Sequence, residues 1–189
     1  CLKNDIPMLY RVHEAPEFSR IQKVRDFVKL LGLKFPEQPT QADYQAVIEA
    51  TKDRIDAPSI HAVLLRSMMQ AYYGPKNVGH YGLAYEAYTH FTSPIRRYPD
   101  LLLHRAIKAS LTTKKYPLSG AALDDSGEHF SQTERRADEA SRSVTSWLKC
   151  HYMQQHLGEE FVGIISAVTE FGLFVTLKDL YVDGMIHVS

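Results

Sequence analysis

The chain has 189 residues, 44% of them hydrophobic and 23% charged, with 22 Lys plus Arg against 22 Asp plus Glu. That length is ample for one core of ordinary size and short for two complete domains, and the composition excludes a disordered chain. The charge balance excludes an overall field that draws the chain to nucleic acid, so any such contact must come from local spots such as Arg96-Arg97, Lys114-Lys115 and Arg135-Arg136. A basic pair of this kind also reads as an ordinary solvated helix face.

Ile6, Met8, Tyr10 and Val12 alternate, which predicts a strand ending at His13-Glu14. A helix follows from about residue 16 to 31, with Phe18, Ile21, Val24, Val28 and Leu31 on one face and Gly32 as its stop. Beyond Pro36 and Pro39, Thr40 and Asp43 form a capping pair for a second helix buried through Tyr44, Val47 and Ile48. Asp56-Ala57-Pro58 opens a third, with Ile60, Val63, Leu64 and Met68 inward, and Gly74-Pro75 breaks it. From His80 to Phe91 the pattern returns to period two, predicting an extended segment with Tyr81, Leu83, Tyr85, Ala87, Thr89 and Phe91 on one side.

A helix starting at Pro99 carries Leu101, Leu102, Ile107 and Leu111 and ends near residues 114–117. Asp124 or Asp125 is placed to cap a long helix continuing to about His156, with Phe130, Ala137, Ala140, Val144, Trp147 and Leu148 at helical spacing. At 1.5 Å per residue it spans about 45 Å, a natural brace between two parts of the molecule. After Gly158-Glu159-Glu160 the texture changes, and residues 161–169, 172–177 and 182–188 read as three short strands. The two cysteines, Cys1 and Cys150, have no metal-type spacing and fit reduced thiols in a cytoplasmic protein. No apolar run approaches the ~18 residues of a membrane span, and no signal peptide opens the chain. Cys1 in place of an initiator Met reads as a boundary within a longer protein.

The run from His90 to Asp100, His-Phe-Thr-Ser-Pro-Ile-Arg-Arg-Tyr-Pro-Asp, carries the most information. Ser93 is a strong N-cap type and Pro94 suits a first helical position, so the amides after Ser93 are expected to point outward unpaired, flanked by two guanidinium groups. That is a phosphate site in outline. Pro99 forbids a continuous helix from Ser93, so residues 93–98 read as a turn or a single helical turn. A competing reading has one arginine simply pairing with Asp100, Arg96 being four residues upstream of it. Ser93, Asp100 and His104 invite a hydrolase-triad reading, but the latter two are expected on a helix that the serine caps, with no strained nucleophile turn. His151 and His156 miss the i, i+4 spacing of a helical metal site, and Asp124-Asp125 is better explained by capping.

This run, introduced by His80-Tyr81-Gly82-Leu83-Ala84 and followed by His104-Arg105, closely resembles the signature of the ribonuclease II and ribonuclease R (RNB) family of processive 3′-to-5′ exoribonucleases. Residues 8–14, Leu64-Leu65-Arg66-Ser67-Met68, and Glu134-Arg135-Arg136-Ala137-Asp138-Glu139-Ala140 leading to Trp147-Leu148 are similar too, in the order of ribonuclease R. Residues 161–189 look like the opening of an S1-type RNA-binding OB-fold. The resemblance implies an α+β architecture. Residues 1–157 would be the mainly helical C-terminal part of an RNB nuclease domain, and 158–189 an incomplete β segment of S1 type.

It also implies that the parent protein is a monomeric cytoplasmic Mg²⁺-dependent enzyme acting on single-stranded or 3′-overhang RNA and releasing nucleoside 5′-monophosphates. The family's metal-holding aspartates have no counterpart here, since neither D-x-D nor a longer aspartate cluster occurs, so no metal ligand is assigned and the isolated chain is expected to be inactive. Arg96 maps onto the arginine that contacts the phosphate being cleaved and would act as a fixed cation beside developing charge. Arg97 and Ser93 are the adjacent candidates for RNA contact, and His80 and Tyr81 border the RNA channel. Phe171, Phe174 and His187 match positions that present rings to single-stranded RNA. Packed histidines and ordinary barrel core are the competing readings for those last five. A catalytically silent RNA-binding or scaffold module, and a helical protein-interaction domain, remain rivals to the enzyme.

Overall fold

A computed structural model describes residues 6–112 and 120–188, so Cys1, Lys114 and Lys115 lie outside the described residues. The chain divides into two compact units, Cys1–Glu134 and Arg135–Ser189. In the first, strand β1 (Tyr10–Val12) is followed by helices α1 (Phe18–Leu30), α2 (Gln41–Thr51) and α3 (Ala57–Ser67), strand β2 (Tyr72–Gly74), a 3₁₀ turn at Tyr81–Leu83, and helix α4 (Tyr98–Leu111). Helix α5 (Gly120–Met153) begins in the first unit and ends in the second, ahead of strands β3 (Gly163–Thr169), β4 (Gly172–Leu177) and β5 (Asp183–His187).

The three helices after β1 form because their apolar periods and end signals agree. Gly32, at φ 77°, takes the left-handed conformation that closes α1. The Asp43 carboxylate accepts from both the amide and the hydroxyl of Thr40, each at 2.7 Å, and these bonds lower its pKa. Val24, Val28, Phe35, Tyr44, Val47, Ile60 and Leu64 make one core. Phe18, expected on the buried face of α1, is instead exposed.

A second core of Leu9, Tyr73, Leu102 and Leu123, with Phe130 against it, joins the small β1–β2 sheet to α4 and α5. β1 and β2 pair antiparallel, Tyr10 opposite Gly74 and Val12 opposite Tyr72. β1 is shorter than the alternation from Ile6 predicts because its partner strand has only three residues before Pro75. The third helix stops at Ser67, well before Gly74-Pro75, and β2 occupies the interval.

The extended segment expected from His80 to Phe91 is not a strand. After the 3₁₀ turn, Ala84 adopts φ 55° and the chain doubles back, so that His80 and Tyr85 exchange backbone bonds of 2.8 and 3.3 Å. Ordered bonds then hold the returning chain beside β1: Arg11 N–H donates to the Tyr88 carbonyl at 2.8 Å and the Thr89 hydroxyl to that of Leu9 at 2.7 Å.

Asp124 and Asp125 do not cap α5. The helix already runs through them from Gly120, and both are exposed. The buried stripe of α5 is Leu123, Gly127 and Ser131, at i, i+4 spacing, whereas Val144, Trp147 and Leu148 are each more than half exposed. Among the described residues no helix is long and apolar enough to cross a membrane.

In the second unit β3, β4 and β5 form an antiparallel meander in that order. The predicted strands agree with these to within two residues, and a register shift between Ile165 and Ala167 marks a bulge in β3. With helices and two small antiparallel sheets, the chain has the α+β composition expected.

Candidate functional site

Between Phe91 and α4 the chain makes one turn, and Arg96 stands on it. The Ser93 carbonyl accepts the amides of Arg96 and Arg97 at 3.2 and 3.0 Å. Those two amides are therefore not available to an anion in the way a Ser93-capped helix predicts. The helix itself begins at Tyr98, with Arg97 as its N-cap residue and Pro99 in its first turn.

The two arginines have different fates. Arg97 is half-buried and donates from Nη2 to Asp100 Oδ2 at 2.9 Å, and the Asp100 side chain is completely buried. Arg96 is exposed and has no ion pair or side-chain hydrogen bond among the described residues. The pairing with Asp100 thus exists, but through Arg97 at i, i+3 rather than Arg96. Arg97 Nε and Asp100 Oδ1 are buried without hydrogen-bond partners.

Behind this turn lies a cluster drawn from four distant segments. Arg11 of β1 places its guanidinium 4.6 Å from the centre of the Tyr73 ring and 2.6 Å from the Glu134 carboxylate of α5. The Tyr73 hydroxyl lies 2.8 Å from His90 Nδ1, and burial raises the pKa of that phenol, with Glu134 adding to the effect. Burial lowers the His90 imidazole, and Arg97 and Arg11 lower it further against the opposing Asp100 and Glu134. A neutral ring therefore sits among two cations and two carboxylates. The rings continue outward, His90 edge-on to Tyr88 and Tyr88 stacked on Tyr85 with centroids 5.9 Å apart.

Sequence reasoning assigned no role to Arg11, Tyr73, His90 or Glu134 individually. Three of the four lie inside stretches that carry the family resemblance, which was the available signal. Tyr73 had none, because β2 was unrecognised.

His104 stacks on Phe91, with ring centres 4.4 Å apart, and its Nε2–H donates to the Phe91 carbonyl at 2.8 Å. With His104 on Phe91 and Asp100 on Arg97, no triad with Ser93 is assembled.

His80 accepts the Leu83 amide on Nδ1 at 3.2 Å and packs edge-on against His13 and Tyr88; burial, then His13, lowers its pKa. Tyr81 is tied into the fold. Its hydroxyl donates to the Pro39 carbonyl at 2.5 Å, its amide donates to the His13 carbonyl at 2.7 Å, and the Gln41 side-chain Nε2 donates to the Tyr81 carbonyl. Burial, with Tyr44 and Asp43 nearby, pushes the Tyr81 phenol up to about 12. His13 Nε2–H donates to the Met69 carbonyl and Nδ1 accepts the Gly82 amide, which fixes its tautomer beneath this turn.

In the second unit Phe171 occupies the turn between β3 and β4, about half exposed, its ring 6.2 Å from that of Phe174. β4–β5 pairing sets Gly172 opposite His187 and Phe174 opposite Met185. The period-two rule then places Phe174 and His187 on one face of the sheet. His187 is exposed and Phe174 half-buried.

A model of the RNB domain matches residues 1–113. Ribonuclease R of Vibrio parahaemolyticus is 48% identical over 197 residues, which span 97% of this chain and 24% of that protein. Mycoplasma genitalium RNase R, solved in complex with ribose-methylated single-stranded RNA, superposes with a TM-score of 0.88 at 28% identity, over 98% of this chain and 30% of that one. Yeast Ssd1, described as a pseudonuclease, has a TM-score of 0.79 at 23% identity over 98% of this chain and 24% of that one, a likeness of fold alone. The chain spans about a quarter of the length of the curated relative. With well over half its residues matched by the domain model and the same fold in its structural neighbours, the chain belongs to the RNB domain family.

Proposed function

We propose that this chain is part of a processive 3′-to-5′ exoribonuclease, a cytoplasmic monomer that degrades single-stranded or 3′-overhang RNA to nucleoside 5′-monophosphates. Residues 1–157 are the C-terminal part of its RNB nuclease domain and residues 158–189 the start of an S1-type OB-fold. The observation that carries the reading is Arg96: an exposed guanidinium on a short ordered turn, without a protein partner among the described residues, in a chain of this family. Its role is electrostatic, a cation held beside the charge that builds on the scissile phosphate.

Arg97 and Ser93 flank that position, and His80 and Tyr81 border the RNA path. Phe171, Phe174 and His187 offer rings to unpaired bases, where stacking contributes about 1–3 kcal/mol per base whatever the sequence. Among the described residues no three His, Cys, Asp or Glu side chains converge, so no ligand for the Mg²⁺ that the family implies is assigned in this chain.

The test is incubation of the full-length protein with a 3′-overhang RNA in Mg²⁺, with product analysis and parallel binding measurements over a salt series. Release of 5′-monophosphates is expected, with log affinity falling as log salt rises. RNA binding without degradation would assign the chain to a silent module such as the pseudonuclease fold permits. Absence of salt-dependent binding would leave a protein-interaction domain.

A further inference from the structure

Asp100 is a carboxylate with no exposed surface, set in the first turn of α4, and its bonds go to the loop before it. A single oxygen, Oδ2, accepts the Ser93 amide at 2.8 Å and the Arg97 Nη2 at 2.9 Å. Ser93 precedes Arg96 and Arg97 follows it. The Ser93 carbonyl takes the amides of both arginines, so residues 93–97 close on themselves and hang from one oxygen of Asp100.

We infer that Asp100 is a positioning residue for Arg96. It sorts two adjacent, chemically identical side chains, drawing Arg97 into a buried pair and leaving Arg96 as the one directed to phosphate. The inference rests on the proposed role of Arg96 in the parent nuclease. A buried carboxylate is costly without a partner, and the Arg97 charge supplies one; conversely, Arg97 released from Asp100 is a second guanidinium next to Arg96 that competes for the same anion. Misplacement of a catalytic group by about 1 Å costs on the order of 100-fold in rate, so a tether two bonds away has leverage on turnover.

The orphaned Oδ1 makes a conservative test available. In Asp100→Asn the amide oxygen can keep both bonds while the NH₂ group takes the unpartnered position, so the tether is held while the charge is lost and two N–H donors are buried where Oδ1 stood. Asp100→Ala loses both tethers.

The experiment is single-turnover degradation of a 3′-overhang RNA by the full-length protein carrying Asp100→Ala, Asp100→Asn, Arg96→Ala and the Arg96→Ala/Asp100→Ala pair, well below each variant's unfolding temperature. Asp100→Ala is expected to lower kcat by roughly 10- to 100-fold with RNA affinity within about 3-fold, Asn to recover part of the loss, and Asp100→Ala to add nothing in the Arg96→Ala background. Equal losses from Asp100→Ala in both backgrounds would overturn the inference, since Asp100 would not then act through Arg96. A fall in thermal stability with kcat unchanged in both Asp100 variants would reduce Asp100 to a structural ion pair and overturn it likewise. If Arg96→Ala itself leaves turnover intact, the reading of Arg96 fails first and the positioning role falls with it. Should Asp100→Ala not fold, the Asn variant in the two Arg96 backgrounds decides by the same non-additivity.

Discussion

Gly127 of α5 lies against the backbone of Tyr73 in β2 so closely that a Cβ at position 127 would stand 2.6 Å from the Tyr73 carbonyl oxygen. One turn on, the Ser131 hydroxyl accepts the Tyr73 amide at 2.9 Å and donates to the Gly127 carbonyl at 2.7 Å. The helix and strand are thus locked at one height. This contact sets where the Tyr73 ring, and through it His90, is held.

Gly127→Ala tests that lock. Alanine improves helix propensity by about 1 kcal/mol, but the new methyl meets a carbonyl that moves only if the whole strand moves, and overpacking of this kind costs roughly 1–3 kcal/mol. The clash should win. Thermal unfolding of the 189-residue chain is expected to show a lower Tm for the variant, and an equal or higher Tm would mean that α5 and β2 separate freely.

His90 gives stability an acid limb. Its pKa is lowered in the folded state, by burial first and then by Arg97 and Arg11, from the ordinary imidazole value of 6.5. Above 6.5 the ring is neutral in folded and unfolded chains alike; as pH falls from there through the lower folded value, the unfolded chain binds the proton first and folding stability declines. His80 is shifted the same way, so the two add. Denaturant midpoints taken across this range should fall with pH in the parent chain and fall less steeply in His90→Gln. Identical pH slopes would show that His90 protonates equally in both states.

The helices α1 to α3 and the strands β3 to β5 were legible because each carries its own period and end signals within a few residues: Gly32, the Thr40–Asp43 pair and Pro58 are local devices. Three-residue β2 is too short to show a period. The alternation from His80 to Phe91 comes from rings packing in a doubled-back loop, which period two cannot distinguish from a strand. The competing reading, that one arginine pairs with Asp100, holds for Arg97; the i, i+4 spacing that offered Arg96 as the partner presumes a helix. α4 starts at Tyr98, so Arg96 precedes it and Arg97 is the residue in reach. The cluster of Arg11, Tyr73, His90 and Glu134 is assembled from elements far apart in sequence, and no spacing rule foretells it.

The isolated 189-residue chain should release no nucleotide from RNA, with or without Mg²⁺. The reason is chemical: no carboxylate set capable of holding the metal converges among its described residues. Labelled 5′-monophosphate from a 3′-overhang RNA, after contaminating nuclease is removed by a second chromatographic step, would show that this chain completes a catalytic centre by itself.

Phe171→Ala in the full-length protein should weaken single-stranded RNA binding about tenfold, within the 1–3 kcal/mol range of base stacking, with no preference among homopolymers. The salt slope should stay the same, because a ring releases no counterions. His187→Ala is expected to act in the same direction. If Phe171→Ala leaves affinity unchanged and instead loosens β3 to β5 in hydrogen exchange, the ring is packing for Phe174 and not a base platform.

Arg96 is where the mechanism is most open to test. If its cation matters only as charge develops on the phosphate, Arg96→Ala in the full-length protein lowers kcat and kcat/KM together by about 100-fold or more, with RNA affinity nearly unchanged. Arg96→Lys should recover only part of this, because an ammonium is a point charge and lacks the planar pair of donors that grips two phosphate oxygens. Arg97→Lys gives the contrast: Arg97 is engaged by Asp100 at 2.9 Å, so its substitution should act chiefly on stability and on the order of the turn. An Arg96→Ala variant that loses as much affinity as turnover would make Arg96 a binding contact, and one that loses neither would leave it a solvated side chain on an exposed turn.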